Sequence, residues 1–111
     1  MAFDEGKRNA IYRLGRLGFS TAISPRDEVT MIRPVYTPSI GDDGVEIVVN
    51  YLLTIGTIRE ASFCRTRITD AALPIIAKLT SVEVLRIIHT NATAEGLKHL
   101  QARLPNCRLE T

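Results

Sequence analysis

Apolar and polar positions recur in the same order in three windows of sixteen residues, which align without gaps. The windows cover 30–45, 58–73 and 82–97, so the interval between the first two starts is longer than the interval between the last two. Positions four and six are mostly apolar, as Ala61 and Phe63 of the second window illustrate. This alternation predicts a short strand with one buried face in each window. A recurrence at this spacing indicates a repeat architecture.

A helix start follows each predicted strand. The three windows read Gly41-Asp42-Asp43, Thr69-Asp70-Ala71 and Thr93-Ala94-Glu95 at this point. Threonine is a favoured N-cap, and a carboxylate in the first turn complements the helix dipole. Apolar residues then recur at helical spacing over 45–55, 73–79 and 97–104. The first unit is longer by about one helical turn, so we expect a longer helix around 46–53.

Strands and helices in alternation predict an α/β fold, in which right-handed crossovers join parallel strands. Each unit would bury its apolar face only against its neighbours, which gives a right-handed βα superhelix. We expect one domain over 1–111, with a short parallel sheet of three to four strands and helices on the convex face. The predicted segments are a cap and connection at 1–29, repeats at 30–57, 58–81 and 82–106, and a terminal strand at 107–111.

The N-terminal segment is predicted to cover the first repeat. Ile11, Leu14 and Leu17 recur at helical spacing, and Gly18 is a typical helix stop. Since an open end of a solenoid exposes core, we expect a capping helix over 4–18 with Ile11 and Leu14 buried. The segment 19–29 contains Ser, Pro and Asp and is predicted to be a connection, with a single short strand as the alternative.

Several segments resemble one known family. The helix starts at 69–73 and 93–97, TDAAL and TAEGL, are similar to those of short bacterial leucine-rich repeats of the ribonuclease-inhibitor-like class. The segment 104–110, LPNCRLE, resembles the usual end of such arrays, and 10–18 resembles the helix that precedes them. The resemblance extends from about Ala10 to Glu110 and implies a leucine-rich-repeat solenoid.

The chain departs from the family pattern at a few positions. Arg33 stands where the family has an aliphatic residue. Pro34 and Pro38 lie in the same window, which predicts a short or irregular first strand. Pro74 removes one N–H from the second predicted helix, which should therefore be short or begin late.

In repeats of this kind, positions three, five and seven face the concave side of the sheet. The alignment places Ile32 on this side, and it predicts a partner-binding site formed by Tyr36, Ser62, Cys64, Val84, Arg86 and Ile88. Exposed apolar patches often mark partner sites, and Tyr and Arg are enriched at interface hot spots. We therefore predict a non-catalytic protein–protein interaction module, whose partner the sequence does not identify.

Two other functions are weighed against this one. The first is structural self-association through the solenoid ends, where the strands near Met31–Tyr36 and Cys107–Thr111 would be open edges. The second is a small hydrolase-type enzyme that uses Cys64 and His89 as nucleophile and base. No third orienting group is placed near these two residues, so no catalytic residue is predicted.

No metal or cofactor is expected. Cys64, Cys107, His89 and His99 are too scattered for a standard zinc spacing. The carboxylates Asp42, Asp43 and Asp70 lie at predicted helix starts, where capping explains them.

Composition limits the partners and the compartment. The chain is 45% hydrophobic and 23% charged, values typical of a soluble globular domain. Its net charge of +2 is too balanced to indicate nucleic acid or a membrane surface as the partner. The basic residues of segment 7–16 are predicted to form a solvated helix face. The chain opens without a secretory signal and lacks a stretch long enough to span a membrane, so we expect a cytoplasmic protein.

Overall fold

A computed structural model describes residues 5–26, 28–35 and 40–111. This part of the chain is α/β, with four α-helices and one mixed sheet of five strands. In chain order the elements are α1 (Glu5–Arg16), β1 (Phe19–Ile23), β2 (Val29–Pro34), α2 (Asp42–Ile55), β3 (Glu60–Ser62), a 3₁₀ turn (Asp70–Ala72), α3 (Leu73–Ile76), β4 (Val84–Arg86), α4 (Ala94–Arg103) and β5 (Arg108–Glu110).

The strands lie in the sheet in chain order, β1 to β5. The pairs β2–β3, β3–β4 and β4–β5 are parallel, whereas β1 pairs with β2 in the antiparallel direction. Ala61 lies opposite Leu85, and Leu85 lies opposite Leu109, so the last two steps of the repeat are equally long. The predicted parallel pairing of the second and third windows is confirmed, but the sheet as a whole is not purely parallel.

The first strand is shifted by one position from the predicted register. Ile32 lies opposite Ala61, whereas the alignment of the windows pairs Arg33 with Ala61. Ile32 is fully buried and Arg33 is exposed, so the predicted orientation of both side chains is wrong. The helix starts at Gly41 and Thr69 keep the spacing that the alignment gives them. The first unit therefore has one more residue between strand and helix, and such a slip exchanges the two faces of a strand.

The N-terminal edge of the sheet also differs from the prediction. The strand from Met31 onward is not an open edge, because β1 pairs along it from Phe19 to Ile23. The turn between them is fixed by the Ser24 hydroxyl, which accepts hydrogen bonds from the N–H groups of Arg26 and Glu28, both at 3.2 Å. The alternative of a short strand within 19–29 is confirmed, and this strand covers the edge of β2.

Two of the three expectations about length and proline are confirmed in full. The helix α2 is the longest of the described helices, with 14 residues, and α3 has only four, with Pro74 in its first turn. The first strand is not short, because β2 has six residues and is the longest described strand, but it is irregular, because its register with β1 shifts between Ala22 and Ile23. Pro34 occupies its last position, where the strand ends.

The core lies between one face of the sheet and the helices, and it is mainly aliphatic. Ile32, Leu85 and Leu52 are fully buried. An edge-to-face aromatic pair, Phe19 and Phe63, joins β1 to the segment after β3, with ring centroids 6.3 Å apart. A core of this kind is stabilised by removal of apolar area from water.

The helix α1 packs against α2 and β1. Leu14 is fully buried, as predicted, whereas Ile11 is only partly buried and Ala10 takes the inner position. The exposed side of α1 carries Tyr12 and Arg13. The apolar side of α1 thus covers the N-terminal end of the core.

Candidate binding face of the sheet

One side of the sheet is turned away from the core. Ile32, Ala61 and Leu85 point into the core and are at most 1% exposed. The residues that alternate with them stay at least partly exposed. We call this set the open face: Met31, Arg33, Glu60, Ser62, Cys64, Val84, Arg86, Ile88, Arg108 and Glu110.

Five of the six predicted site residues lie together on the open face. Ser62 pairs directly with Arg86 across β3 and β4, and Val84 lies earlier on β4, on the same face. Cys64 and Ile88 continue the alternation beyond the strand ends, where the N–H of Arg65 donates to the carbonyl of Ile88 at 2.9 Å. These five side chains are all half-buried.

The sixth predicted residue, Tyr36, lies outside the residues that the structure describes. The face of the first strand is formed by Met31 and Arg33, since the register correction moves Ile32 into the core. The predicted concave face therefore loses Ile32 and gains Arg33, a cation on β2.

Arg86 is the centre of an ion-pair network. Its Nε donates to Oε1 of Glu110 at 2.7 Å, and its Nη2 lies 3.7 Å from Oε1 of Glu60. The second carboxylate oxygen of Glu110 lies 3.0 Å from Nε of Arg108. The hydrogen bond from Arg86 lowers the pKa of Glu110, and the same bond raises the pKa of Arg86. Both groups therefore stay charged, and the Arg86 side chain is held in place.

Sequence reasoning missed Arg108 and Glu110 as members of this face. Glu110 follows Arg86 by one repeat, the same interval that separates Ser62 from Arg86. An alignment extended by one more unit would have placed Glu110 beside Arg86. The signal was present, but the short last strand lacks the helix that completes the other windows.

Apolar side chains flank the network. Val84 and Ile88 lie on either side of Arg86 along β4, and Met31 lies across the sheet on β2. A shallow groove of about 360 Å³ lies at the N-terminal ends of the strands, lined by Ala22, Thr30, Met31, Arg59, Glu60, Glu83 and Val84. The open face thus combines fixed charges with half-buried apolar groups, a mixture typical of protein interfaces.

The two residues of the hypothetical hydrolase site, Cys64 and His89, lie just beyond the ends of β3 and β4. Cys64 is half-buried and His89 is exposed, and neither the thiol nor the imidazole hydrogen-bonds to the other. His89 and Arg65 occupy the same repeat position and both have a positive φ, 59° and 61°. This left-handed conformation, which is uncommon for residues other than glycine, turns the chain from strand to loop in both units.

The helix starts carry a second repeated arrangement. Asp42 accepts hydrogen bonds from the N–H and the hydroxyl of Thr69, at 2.8 and 2.7 Å. Asp70 accepts the same two bonds from Thr93, at 2.7 and 2.6 Å. Each carboxylate therefore joins its own helix start to that of the next unit. The hydrogen bond from the Thr93 hydroxyl is the main cause of the lowered pKa of Asp70.

This arrangement corrects the expectation that the carboxylates act as caps of their own helices. The caps are Thr69 and Thr93, whose hydroxyls accept from the N–H groups of Ala71 and Gly96 at 3.2 and 3.0 Å. These caps were predicted, and the structure confirms them. The Asp–Thr bridges join residues of neighbouring units, so the sequence of a single unit does not predict them.

No group of three or more His, Cys, Asp or Glu side chains in the described ranges is arranged to hold a metal ion. Cys64 and Cys107 are both free thiols, and burial raises the pKa of Cys107.

No protein-family model and no curated protein matches this chain. The described helices include none that is long and apolar enough to cross a membrane.

Proposed function

We propose that the chain is a short leucine-rich-repeat solenoid that acts as a non-catalytic protein-interaction module and binds its partner through the open face. The observation that carries this proposal is the fixed Arg86 between Val84 and Ile88. An arginine held among apolar groups on a rigid sheet has the composition of an interface hot spot. Because the side chain is already positioned, binding would cost less conformational entropy than for a free arginine.

The chemistry of the face indicates the kind of partner surface that it fits. A guanidinium has five N–H donors, and the two contacts of Arg86 leave several of them available. Arg33 is an additional exposed cation on β2. A partner that presents apolar side chains beside carboxylate or carbonyl acceptors would complement both features.

The repeat geometry supports the solenoid part of the proposal. The strands β2 to β5 follow one another in parallel, and the steps from β3 to β4 and from β4 to β5 are equally long. The Asp42–Thr69 and Asp70–Thr93 bridges recur between successive units. Identical contacts between neighbouring units are what a stacked array requires.

An affinity capture from cells of the source organism tests the function. The whole chain is immobilised beside an Ile88→Asp variant, and captured proteins are identified by mass spectrometry. A charge at the centre of the face should weaken a specific partner by about thirtyfold, which corresponds to about 2 kcal/mol.

Lys78→Asp is the matched control, since Lys78 is exposed just after α3 and does not belong to the open face. Thermal melts of both variants accompany the capture, because Ile88 is half-buried. A folded Ile88→Asp variant that binds as the parent does would place the site elsewhere.

A further inference from the structure

The strand β5 has an unpaired outer edge among the described residues. It is the last strand of the sheet, and it pairs only with β4. The N–H of Arg108 donates to the carbonyl of Glu83, and the carbonyl of Glu110 accepts from Ile87, both at 2.8 Å. Because successive residues of a strand point their backbone groups in opposite directions, the N–H and C=O of Leu109 face away from β4. An edge of this kind is a template for another strand.

A groove lies beside this edge, and its lining is partly apolar and partly polar, with His89, Lys98 and Gln101 among the polar residues. It has a volume of about 710 Å³, and its apolar lining includes Ile87, Ala92, Leu97 and Leu109. In the preceding unit, the residues equivalent to Ala92 and Leu97 are Ile68 and Leu73, and both are buried. Ala92 and Leu97 are only half-buried. The core is thus covered in one unit and partly open in the next.

We infer that a second copy of this chain occupies the edge, with the two β5 strands antiparallel about a two-fold axis at Leu109. The N–H and C=O of Leu109 in each copy then bond to those of the other copy. The two Leu109 side chains lie opposite each other at about 5 Å and close both grooves.

The charges of β5 favour this arrangement. A two-fold axis at Leu109 places Arg108 of each copy opposite Glu110 of the other, so two complementary pairs form. Arg86, Glu110 and Arg108 of the second copy then follow one another across the joined sheet with alternating sign. Arg108 is 68% exposed, and a single contact at 3.0 Å joins it to Glu110 of its own strand, so donors remain for the second copy.

The other edge of the sheet does not offer this complementarity. The strand β1 has the sequence FSTAI and carries no charged side chain. A head-to-tail assembly, with β5 of one copy on β1 of the next, would offer Arg108 and Glu110 no opposite charge on the neighbouring strand and would not close. The two-fold pairing of β5 with itself is therefore the arrangement that satisfies hydrogen bonds, apolar surface and charge together.

Sedimentation velocity over a wide range of concentration tests the inference, with the whole chain and two charge-reversal variants. The parent should shift from monomer to dimer with rising concentration. Arg108→Glu and Glu110→Arg should each weaken the dimer at least about tenfold, because like charges then face each other twice. An equimolar mixture of the two variants should restore dimers, because one variant has two acids on β5 and the other has two bases.

The control is Arg26→Glu in the turn between β1 and β2, which should dimerise as the parent does. Since Glu110→Arg removes a partner of Arg86, a second measurement uses the parent alone. The amide exchange of Leu109, followed by NMR, should slow as concentration rises, because its N–H becomes bonded. A parent that stays monomeric at NMR concentrations with an unprotected Leu109 amide would overturn the inference, as would folded variants that dimerise as tightly as the parent.

Discussion

The core is covered to different extents at the two ends of the sheet. At the N-terminal end, β1 pairs with β2 and α1 packs on α2, so that Leu14 and Ile32 are fully buried. At the C-terminal end, β5 pairs on one side only, and Leu97 and Leu109 remain half-buried. Elements outside the repeat cover the core at one end, whereas the outermost described strand at the other end, β5, belongs to the repeat itself.

Polar contacts hold the elements of the C-terminal end in place. The side-chain amide of Gln101 donates to the carbonyls of Leu104 and Cys107 at 3.0 and 2.8 Å. Glu110 is tied to Arg86, and Asp70 is tied to Thr93. The N-terminal end therefore depends on apolar burial and the C-terminal end on hydrogen bonds and charge, so the two ends should respond differently to the same change.

The largest difference is expected for leucine truncation. Leu14→Ala removes a fully buried side chain from the N-terminal end and should lower the free energy of unfolding by about 3 kcal/mol. Leu97→Ala removes a half-buried side chain from the C-terminal end and should cost about 1 kcal/mol. Urea denaturation with a common m-value measures both. Equal losses would show that the two ends are buried alike in solution.

A glycine-to-alanine pair should give changes of opposite sign. A Cβ at Gly96 in α4 would overlap with the Asp70 carboxylate, which two bonds to Thr93 hold in place, so Gly96→Ala should destabilise the chain by about 1 kcal/mol. Gly15 in α1 has open space around its Cβ position, so Gly15→Ala should stabilise the chain by about 0.5–1 kcal/mol. Denaturation curves of the two variants decide, and a gain for Gly96→Ala would mean that the Asp70 bridge is not fixed.

Much of the fold follows from the period of the sequence. The parallel register of β3 and β4 and the caps Thr69 and Thr93 are confirmed. Both can be predicted from the sequence of a single unit, because apolar alternation indicates the buried face of a strand and a threonine before a helix indicates its N-cap. The register of β2 was predicted wrongly, because a gapless alignment has no place for the extra residue between Ile32 and Gly41.

Features that depend on neighbouring units were harder to predict. The Pro and Asp of segment 19–29, which are typical of turns, follow β1 rather than lie in it, and the pairing of β1 with β2 identifies 19–23 as a strand. Among the predicted site residues, Ser62, Val84 and Arg86 were placed by strand alternation alone. The role of Glu110 depends on its contact with Arg86 in the preceding unit. The only sign of this contact in the sequence is that the two residues lie one repeat, 24 residues, apart.

The smallest expected effect concerns acid. The pKa values of Asp70 and Glu110 are both lowered, by hydrogen bonds from Thr93 and Arg86 respectively. A carboxyl group whose pKa is lower in the folded chain stabilises the fold above its unfolded pKa, and this contribution is lost as the pH falls through the folded value. Asp70 holds the start of α4 through Thr93 and Glu110 holds β5 to β4 through Arg86, so the C-terminal end should loosen first below about pH 4.

Hydrogen exchange measured by mass spectrometry at several pH values, corrected for the intrinsic pH dependence of exchange, checks this order. Peptides from α4 and β5 should lose protection at a higher pH than peptides from α2, where the core residues Val48 and Leu52 are fully buried. Asp70→Asn should already show reduced protection of α4 at neutral pH, and acid should change that protection less than in the parent, because the titrating group is gone. Simultaneous loss of protection in α2 and α4 would show that the chain opens as one unit and that its ends are not separately stabilised.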